Sequence, residues 1–474
     1  MYLEKQAELL KLLNGSVTLK DDQITIVDPE KLRGSIEKLV KKAVLEEDDL
    51  GRFVARYLVR AVAAAAGVYP NSIHNLYMAR GRGDIPNNFT VPAINLRGLT
   101  FYAAKIIFEI AKEINAGAFI FEIARSESGY TDQRPSEYAA NILGAAVATG
   151  YKGPVFIQGD HYQISAARYN DNPEPEIRAL KELTEEAIKA GFFNIDVDAS
   201  TLVDLSKEDV VEQQMLNSEL TAYFTDYIRK LEPDGITISI GGEIGEVGEE
   251  NSTEEELRAY LESLKVDLKK VNPDIVGLSK ISVLTGTSHG GVVLPDGSIK
   301  EVAVDFDLLQ HLGEVARDSF GIGGAVQHGA STLPESAFSK FPEFETLEVH
   351  LATNFQNILF DELPDDLRTE IYTWLDENSK NERKEGQTDE QFYYKTRKRA
   401  LGVFKKNIWN ITPDQLTKIT AAWDTQFRDL FERLGIKNTR PYVDQTIQEV
   451  KVEANLQDYL LDGLKQEDTS DLAD

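Results

Sequence analysis

Eight short apolar runs recur between Phe89 and Thr353, each rich in β-branched or aromatic residues and each followed by a glycine-punctuated stretch with helical spacing. They are FTVPAIN from Phe89, AFIFEI from Ala118, PVFIQG from Pro154, FNIDVD from Phe193, ITISIG from Ile236, GLSKISVL from Gly277, GGAVQ from Gly323 and LEVHLAT from Leu347. Between the first two, Ala103, Ile106, Ile107, Ile110, Ala111 and Ile114 fall on one helical face, as expected of a helix covering a parallel sheet. Eight βα units in series predict an α/β fold closed as a (β/α)8 TIM barrel, whose active site sits at the C-terminal ends of the strands.

The flanks read differently. The first eighty or so residues have helical spacing, with Leu32, Ile36, Leu39 and Val40 on one face and a second run from Phe53 through Ala66. Beyond about Phe360 the pattern is helical again, with a polar loop from Ser379 to Gln391, a helix start where Thr412 precedes Pro413, and an acidic end, QEDTSDLAD, expected to fray. The chain is therefore expected to divide into an N-terminal helical extension (1–86), a catalytic barrel (87–360) and C-terminal helices (361–474) that pack on the barrel or on a neighbouring subunit.

Composition narrows the function. With 42% hydrophobic and 27% charged residues in 474, this is a folded globular chain. No apolar run approaches the roughly 18 residues of a membrane span, and the N-terminus lacks the features of a secretory leader, so a cytoplasmic protein without a membrane partner is expected. A net charge of −28 with scattered basic residues argues against nucleic acid. An anionic substrate would have to be held by cations or backbone amides focused in a cleft. Cysteine is absent, so a metal site must use histidine and carboxylates.

Three of the six histidines stand directly after strand runs: His161 in Asp160-His161, His289 in TGTSHG and His328 in QHG. One such histidine alone is most simply an ordinary surface or core residue, but three imidazoles with a fourth position open make a catalytic metal site. His350 lies within the eighth strand. Glycine follows His289 and His328, which fits either an anion-binding backbone nest with the Ser331 hydroxyl or a tight strand-to-helix turn. The fifth strand enters GGEIGEVGEENSTEEEL, read as a lid carrying a proton-transfer carboxylate or as a solvated acidic turn, ahead of a capping box at Ser252 and Glu255.

Taken together, PVFIQGDH, FFNIDVDAST, GGEIGEVGEEN, TGTSHG and QHGAS resemble, in order, the motifs of the class II fructose-bisphosphate and tagatose-bisphosphate aldolases. The resemblance implies a metal-dependent lyase that splits a ketose bisphosphate, fructose 1,6-bisphosphate first, into dihydroxyacetone phosphate and an aldehyde phosphate. It implies Zn2+ on His161, His289 and His328, with Glu243 as an alternative ligand, and leaves open a second metal position and a monovalent cation. Asp160 would move the proton of the C4 hydroxyl, and Glu249 or Glu250 would serve the enediolate carbon. Asn95, Asp198 and Ser200 would line the substrate site, and Gly290, Gly329 and Ser331 the phosphate.

Departures from the family pattern fall on the sugar-phosphate side. Gly291, Val292 and Val293 stand where a Tyr-Lys pair is common. The eighth strand reads VHLATN, with His350 for Asn and Asn354 for Asp beside Thr353. TRKRALG resembles a segment that, in some members of the family, reaches a neighbouring subunit to bind the second phosphate, which makes Arg399 a candidate beside the plainer reading of a solvated basic helix. RSESGYTDQRPSEY resembles a non-catalytic accessory subunit of tagatose-bisphosphate aldolase. The alternatives are thus metal-dependent chemistry on another sugar (a tagatose bisphosphate, a sugar monophosphate or a uronate undergoing epimerisation), or an assembly subunit without turnover. The family resemblance also implies a homo-oligomer, a dimer or tetramer.

Overall fold

The computed structural model of the chain describes residues 2–20, 23–245, 250–286, 294, 303–460 and 472. Eleven strands are present among them: β1 (Val17–Lys20), β2 (Gln23–Ile26), β3 (Val68–Asn71), β4 (Val91–Asn95), β5 (Ile120–Ala124), β6 (Gly153–Gln163), β7 (Asn194–Asp198), β8 (Ser239–Glu243), β9 (Lys280–Val283), β10 (Ala325–Gln327) and β11 (Glu348–Leu351). Strands β4 to β11 each fall on one of the eight apolar runs. They pair in parallel in the order β6-β5-β4-β11-β10-β9-β8-β7, and a β6–β7 pairing closes the ring. The result is the expected (β/α)8 barrel. Apolar runs this short form strands because they are covered twice, by helices outside and by one another inside.

The N-terminal segment is not wholly helical. Helices 29–45 and 49–65 form as the spacing predicts, but β1 and β2 make an antiparallel hairpin, Val17 opposite Ile26. Strand β3 joins the barrel sheet beside the first half of β6, Val68 opposite Gly153. Both helices pack on the barrel helix 135–149. Close approach there depends on Gly144, where an added Cβ would lie 2.3 Å from a Val40 methyl. At the other end, helix 413–433 starts at Thr412 as expected and buries Ile419, Trp423, Phe427 and Leu430 against helices 100–113 and 353–362. No helix among the described residues is long and apolar enough to cross a membrane.

A second difference is local. The capping box of helix 254–271 is Thr253 with Glu256, one residue later than the sequence pattern indicates, because the Ser252 hydroxyl accepts from the Leu284 N–H at 2.9 Å instead.

The feature that builds the site is a bulge in β6. Its register against β7 shifts between Gly159 and Tyr162, and His161 sits within the shift at φ +39°. In a regular strand neighbouring side chains point to opposite faces; the extra residue lets Asp160 and His161 line the same cavity. Tyr162 folds back over Gly159, where an added Cβ would fall 2.4 Å from the phenol ring. Gly159→Ala is therefore expected to destabilise the fold by about 1–3 kcal/mol and to disturb the bulge. An unchanged melting temperature with full metal content would contradict this role.

Candidate active site

A cavity of about 700 Å3 opens at the C-terminal ends of the barrel strands. Asn95 from β4, Glu122 from β5, Asp160 and His161 from β6, His328 after β10 and His350 from β11 line its inner wall. The C-terminal segment lines its outer part through Lys384, Gln391, Tyr394, Lys395 and Lys398.

His161 and His328 meet with ring centres 4.4 Å apart. Ligand atoms of Asp160, His161 and His328 all lie within 4.8 Å of one another, and so do those of His161, Asp198 and Glu243. The two sides of the His161 ring are used differently. Nε2 lies 4.0 Å from Asp160 Oδ1, whereas Nδ1 lies 3.1 Å from Asp198 Oδ2 and 3.2 Å from Glu243 Oε2. Asp198 is itself fixed, accepting from Gln163 Nε2 at 2.8 Å and from the Ser200 hydroxyl at 2.6 Å. A carboxylate behind one ring nitrogen while the other faces a cavity is how metal-binding imidazoles are oriented. This donor set fits a divalent cation. His328 Nε2 lies 2.9 Å from the Ser282 hydroxyl.

Beside this pair is a buried polar network. His350 stacks on His328 with ring centres 4.0 Å apart. Its Nδ1 lies 3.1 Å from Glu122 Oε2 and 3.2 Å from Asp160 Oδ1, and its Nε2 lies 2.7 Å from Glu348 Oε1. Lys280 from β9 reaches Glu348, Asp196 and Gln158 at 2.5, 2.9 and 2.8 Å, and the Tyr77 hydroxyl donates to Glu348.

Burial alone would discharge these groups, but their charges decide otherwise. Asp196 and Glu348 outweigh burial and hold the Lys280 ammonium well above the usual lysine range, so it is not a free amine that forms a Schiff base. Burial would also raise Asp160, yet His161, His350 and Lys280 keep it far below the usual carboxylate range. Glu122, desolvated and facing Asp160, is pushed up to about 8. Arg97, which holds Glu127 at 2.6 Å, lines the same cavity. Lys398, half-buried, is brought down to about 7 by burial and by the charges of Arg97 and Arg399.

Of the residues singled out from sequence, Asn95, Asp160, His161, His328, Gly329, Ser331, His350 and Thr353 line this one cavity. Asp198, Ser200 and Glu243 stand behind His161 rather than on the cavity wall. Ser331 turns its hydroxyl to accept from the Ala352 N–H at 2.6 Å. Asn354 lines a separate small cleft with Leu333 and Phe355, and Arg399 pairs with Glu382 at 2.5 Å; neither reaches the main cavity. Glu250 is exposed. His289, Gly290, Gly291, Val292, Val293 and Glu249 lie outside the described residues.

Sequence reading passed over Arg97, Glu122, Lys280, Glu348 and Lys398. For three of them there was a signal, a lone charge inside an otherwise apolar strand: AFIFEI, GLSKISVL and LEVHL. In a barrel such a residue points inward and must find a counter-charge across the lumen.

Comparison with solved structures finds similar chains at low identity. A probable tagatose 6 phosphate kinase from Sinorhizobium meliloti 1021 is 14% identical, covering 78% of this chain and 99% of that one, with a TM-score of 0.51. The fructose-bisphosphate aldolase of Campylobacter jejuni is 17% identical over 78% and 97% of the two chains, with a TM-score of 0.46. The fructuronate-tagaturonate epimerase UxaE of Cohnella laeviribosi is 11% identical over 91% and 89%, with a TM-score of 0.48. No curated protein sequence matches. Residues 85–417, the barrel and the segment that lines its mouth, match the family described as fructose-bisphosphate aldolase class-II, and the chain belongs to that family.

Proposed function

We propose that the chain is a metal-dependent aldolase that reversibly cleaves a ketose phosphate, fructose 1,6-bisphosphate or a close relative, into dihydroxyacetone phosphate and an aldehyde phosphate. The observation that carries this reading is the placement of Asp160 next to the His161–His328 pair in one cavity. His161 and His328, with His289 from the neighbouring motif, would hold the divalent ion, Zn2+ in the first place, and Glu243 would be its alternative ligand. The ion supplies positive charge to the substrate carbonyl oxygen.

The protein groups do the rest. Asp160 accepts the proton of the C4 hydroxyl as the C3–C4 bond breaks and returns it in the reverse direction. Asn95 lies in reach of Glu127, which holds it for hydrogen bonding to sugar hydroxyls. Glu249 or Glu250 would protonate the carbon left behind. Gly329, Ser331 and Thr353, with Gly290, would take one phosphate.

A second reading rests on a specific observation. Asn354 lies in a separate cleft, away from the phosphate role, while Arg97, Lys395 and Lys398 bring cationic side chains to the cavity. That distribution suits a ketose with a single terminal anion, such as a uronate, epimerised by the same cleavage and rejoining. Release of triose phosphate from fructose 1,6-bisphosphate, abolished by EDTA and restored by zinc, is the expected result of the first reading. No release, with a ketohexuronate interconverted by the same protein, would replace it by the second.

Either substrate makes Lys398 testable. It carries its charge below about pH 7 and loses it above. KM for the anionic substrate is expected to rise between pH 6.5 and 8.5, and Lys398→Met to raise KM about tenfold at pH 6.5 and flatten the profile, the loss of about 1.4 kcal/mol. Because its folded value lies below its unfolded one, the cost of burying the ammonium is present below about pH 7 and is relieved as pH rises. Lys398→Met should therefore stabilise the protein most at low pH. Arg97, Arg399, Glu127, Glu382 and Tyr130 are among the charged and titratable groups around it. A KM that is flat with pH in the unsubstituted protein would remove Lys398 from substrate binding.

A further inference from the structure

We infer that Tyr77, from the N-terminal extension, is a positioning residue for the active site: through Glu348 it fixes the direction in which His350 faces Asp160. The first support is where helix 74–81 lies, across the N-terminal ends of the barrel strands and opposite the cavity. An added Cβ at Gly81 would meet the Ile322 carbonyl oxygen at 2.9 Å, and one at Gly323, just before β10, would meet the Tyr77 Cβ at 3.0 Å. Arg80 is buried and donates to the carbonyls of Thr346 and Leu347 at 3.0 and 3.3 Å, which ties the helix to the residues leading into β11. Ile73, Leu76 and Tyr77 share one apolar cluster with Phe89, Val91 and Leu347. The helix is thus the floor of the barrel.

From this floor the fully buried Tyr77 side chain reaches Glu348, and its hydroxyl donates to Oε2. Glu348 and His350 stand two apart in β11, so they share its inward face. The other carboxylate oxygen, Oε1, is the one His350 uses. His350 Nε2 donates to it at 2.7 Å, beside Lys280 Nζ at 2.5 Å and Gln158 Nε2 at 3.1 Å. Three donors on one oxygen fix a point, and the donor on the second oxygen fixes the plane. A carboxyl group turns easily about its last bond unless both oxygens are held.

Lys280 already supplies Glu348 with a counter-charge, so what the phenol adds is direction. The direction matters at the other side of the His350 ring, where Nδ1 lies 3.2 Å from Asp160 Oδ1 and 3.1 Å from Glu122 Oε2. Contacts therefore run from the floor of the barrel to its cavity, from Tyr77 through Glu348 and His350 to Asp160. Without the hydroxyl, Oε2 loses a buried donor, and the carboxylate that aims the imidazole is free to turn.

Two measurements test this, and the first is independent of the substrate. In zinc-loaded protein carrying isotope-labelled histidine, the Nε2–H proton of His350 is expected as a downfield magnetic-resonance signal that is missing from His350→Gln. Tyr77→Phe is expected to shift that signal upfield while the zinc content stays the same; Tyr77→Met serves if the phenylalanine variant does not fold. The second measurement rests on the catalytic reading above. Tyr77→Phe should lower kcat about tenfold with KM changed less than about twofold, and should have no further effect beside His350→Gln, as a residue acting through His350 must. An unchanged signal in Tyr77→Phe, no such signal in the unsubstituted protein, or the same loss of kcat with and without His350 would overturn the inference. No turnover of any sugar by the unsubstituted protein would count against the catalytic reading alone, and the signal would still decide whether Tyr77 holds His350.

Discussion

His161→Ala is expected to remove one divalent ion per chain and to lower turnover at least about 10³-fold while the barrel stays folded. The estimate follows from the chemistry assigned to the ion. Charge stabilisation at a carbonyl oxygen amounts to several kcal/mol, and about 4 kcal/mol corresponds to about 10³ in rate. His161 is also the residue that the local backbone is distorted to present, at φ +39° within the β6 bulge. Removing its ring leaves Asp198 and Glu243 without their shared imidazole, but Asp198 keeps Gln163 and Ser200. The loss of stability should therefore stay near 1–3 kcal/mol. Elemental analysis, steady-state kinetics and a thermal melt on the same preparation decide the matter. Full metal content with full activity in the variant would show that the cation binds elsewhere.

Why His161 was visible in the sequence while much of its surroundings was not has a physical reason. The eight barrel strands were legible because a strand buried on both faces must be apolar almost throughout, and runs such as PVFIQG advertise that. The hairpin at Val17–Lys20 and Gln23–Ile26 is only four residues per strand between two helices, too short to displace a helical reading of the region. His161 and His328 were found because they end strands in a shared pattern. The bulge that turns Asp160 and His161 to one face was hidden, since no residue type encodes it apart from Gly159 making way for Tyr162. Arg399 and Asn354 lie off this chain's main cavity for the opposite reason: the motif located the segment, but the direction of each side chain depends on packing that the sequence does not display. One residue away, Lys398 lines the cavity instead.

Lys280 shows what such hidden pairing contributes. In the chain it is one charge in GLSKISVL; in the barrel it is fully buried and bonded to Glu348, Asp196 and Gln158. Lys280→Met keeps the volume but leaves the buried carboxylates of Asp196 and Glu348 with only the His350 ring between them, which is expected to destabilise the protein by about 3–5 kcal/mol. Most of that loss is the cost of stranded charge rather than the worth of the pair. Neutralising one carboxylate as well should therefore restore part of the stability, so Lys280→Met/Glu348→Gln is expected to lose less than the sum of the two single variants. Denaturant midpoints of the four proteins measure the coupling. Strictly additive losses would mean that Lys280 and Glu348 act independently, and that the barrel interior is held by packing rather than by this network.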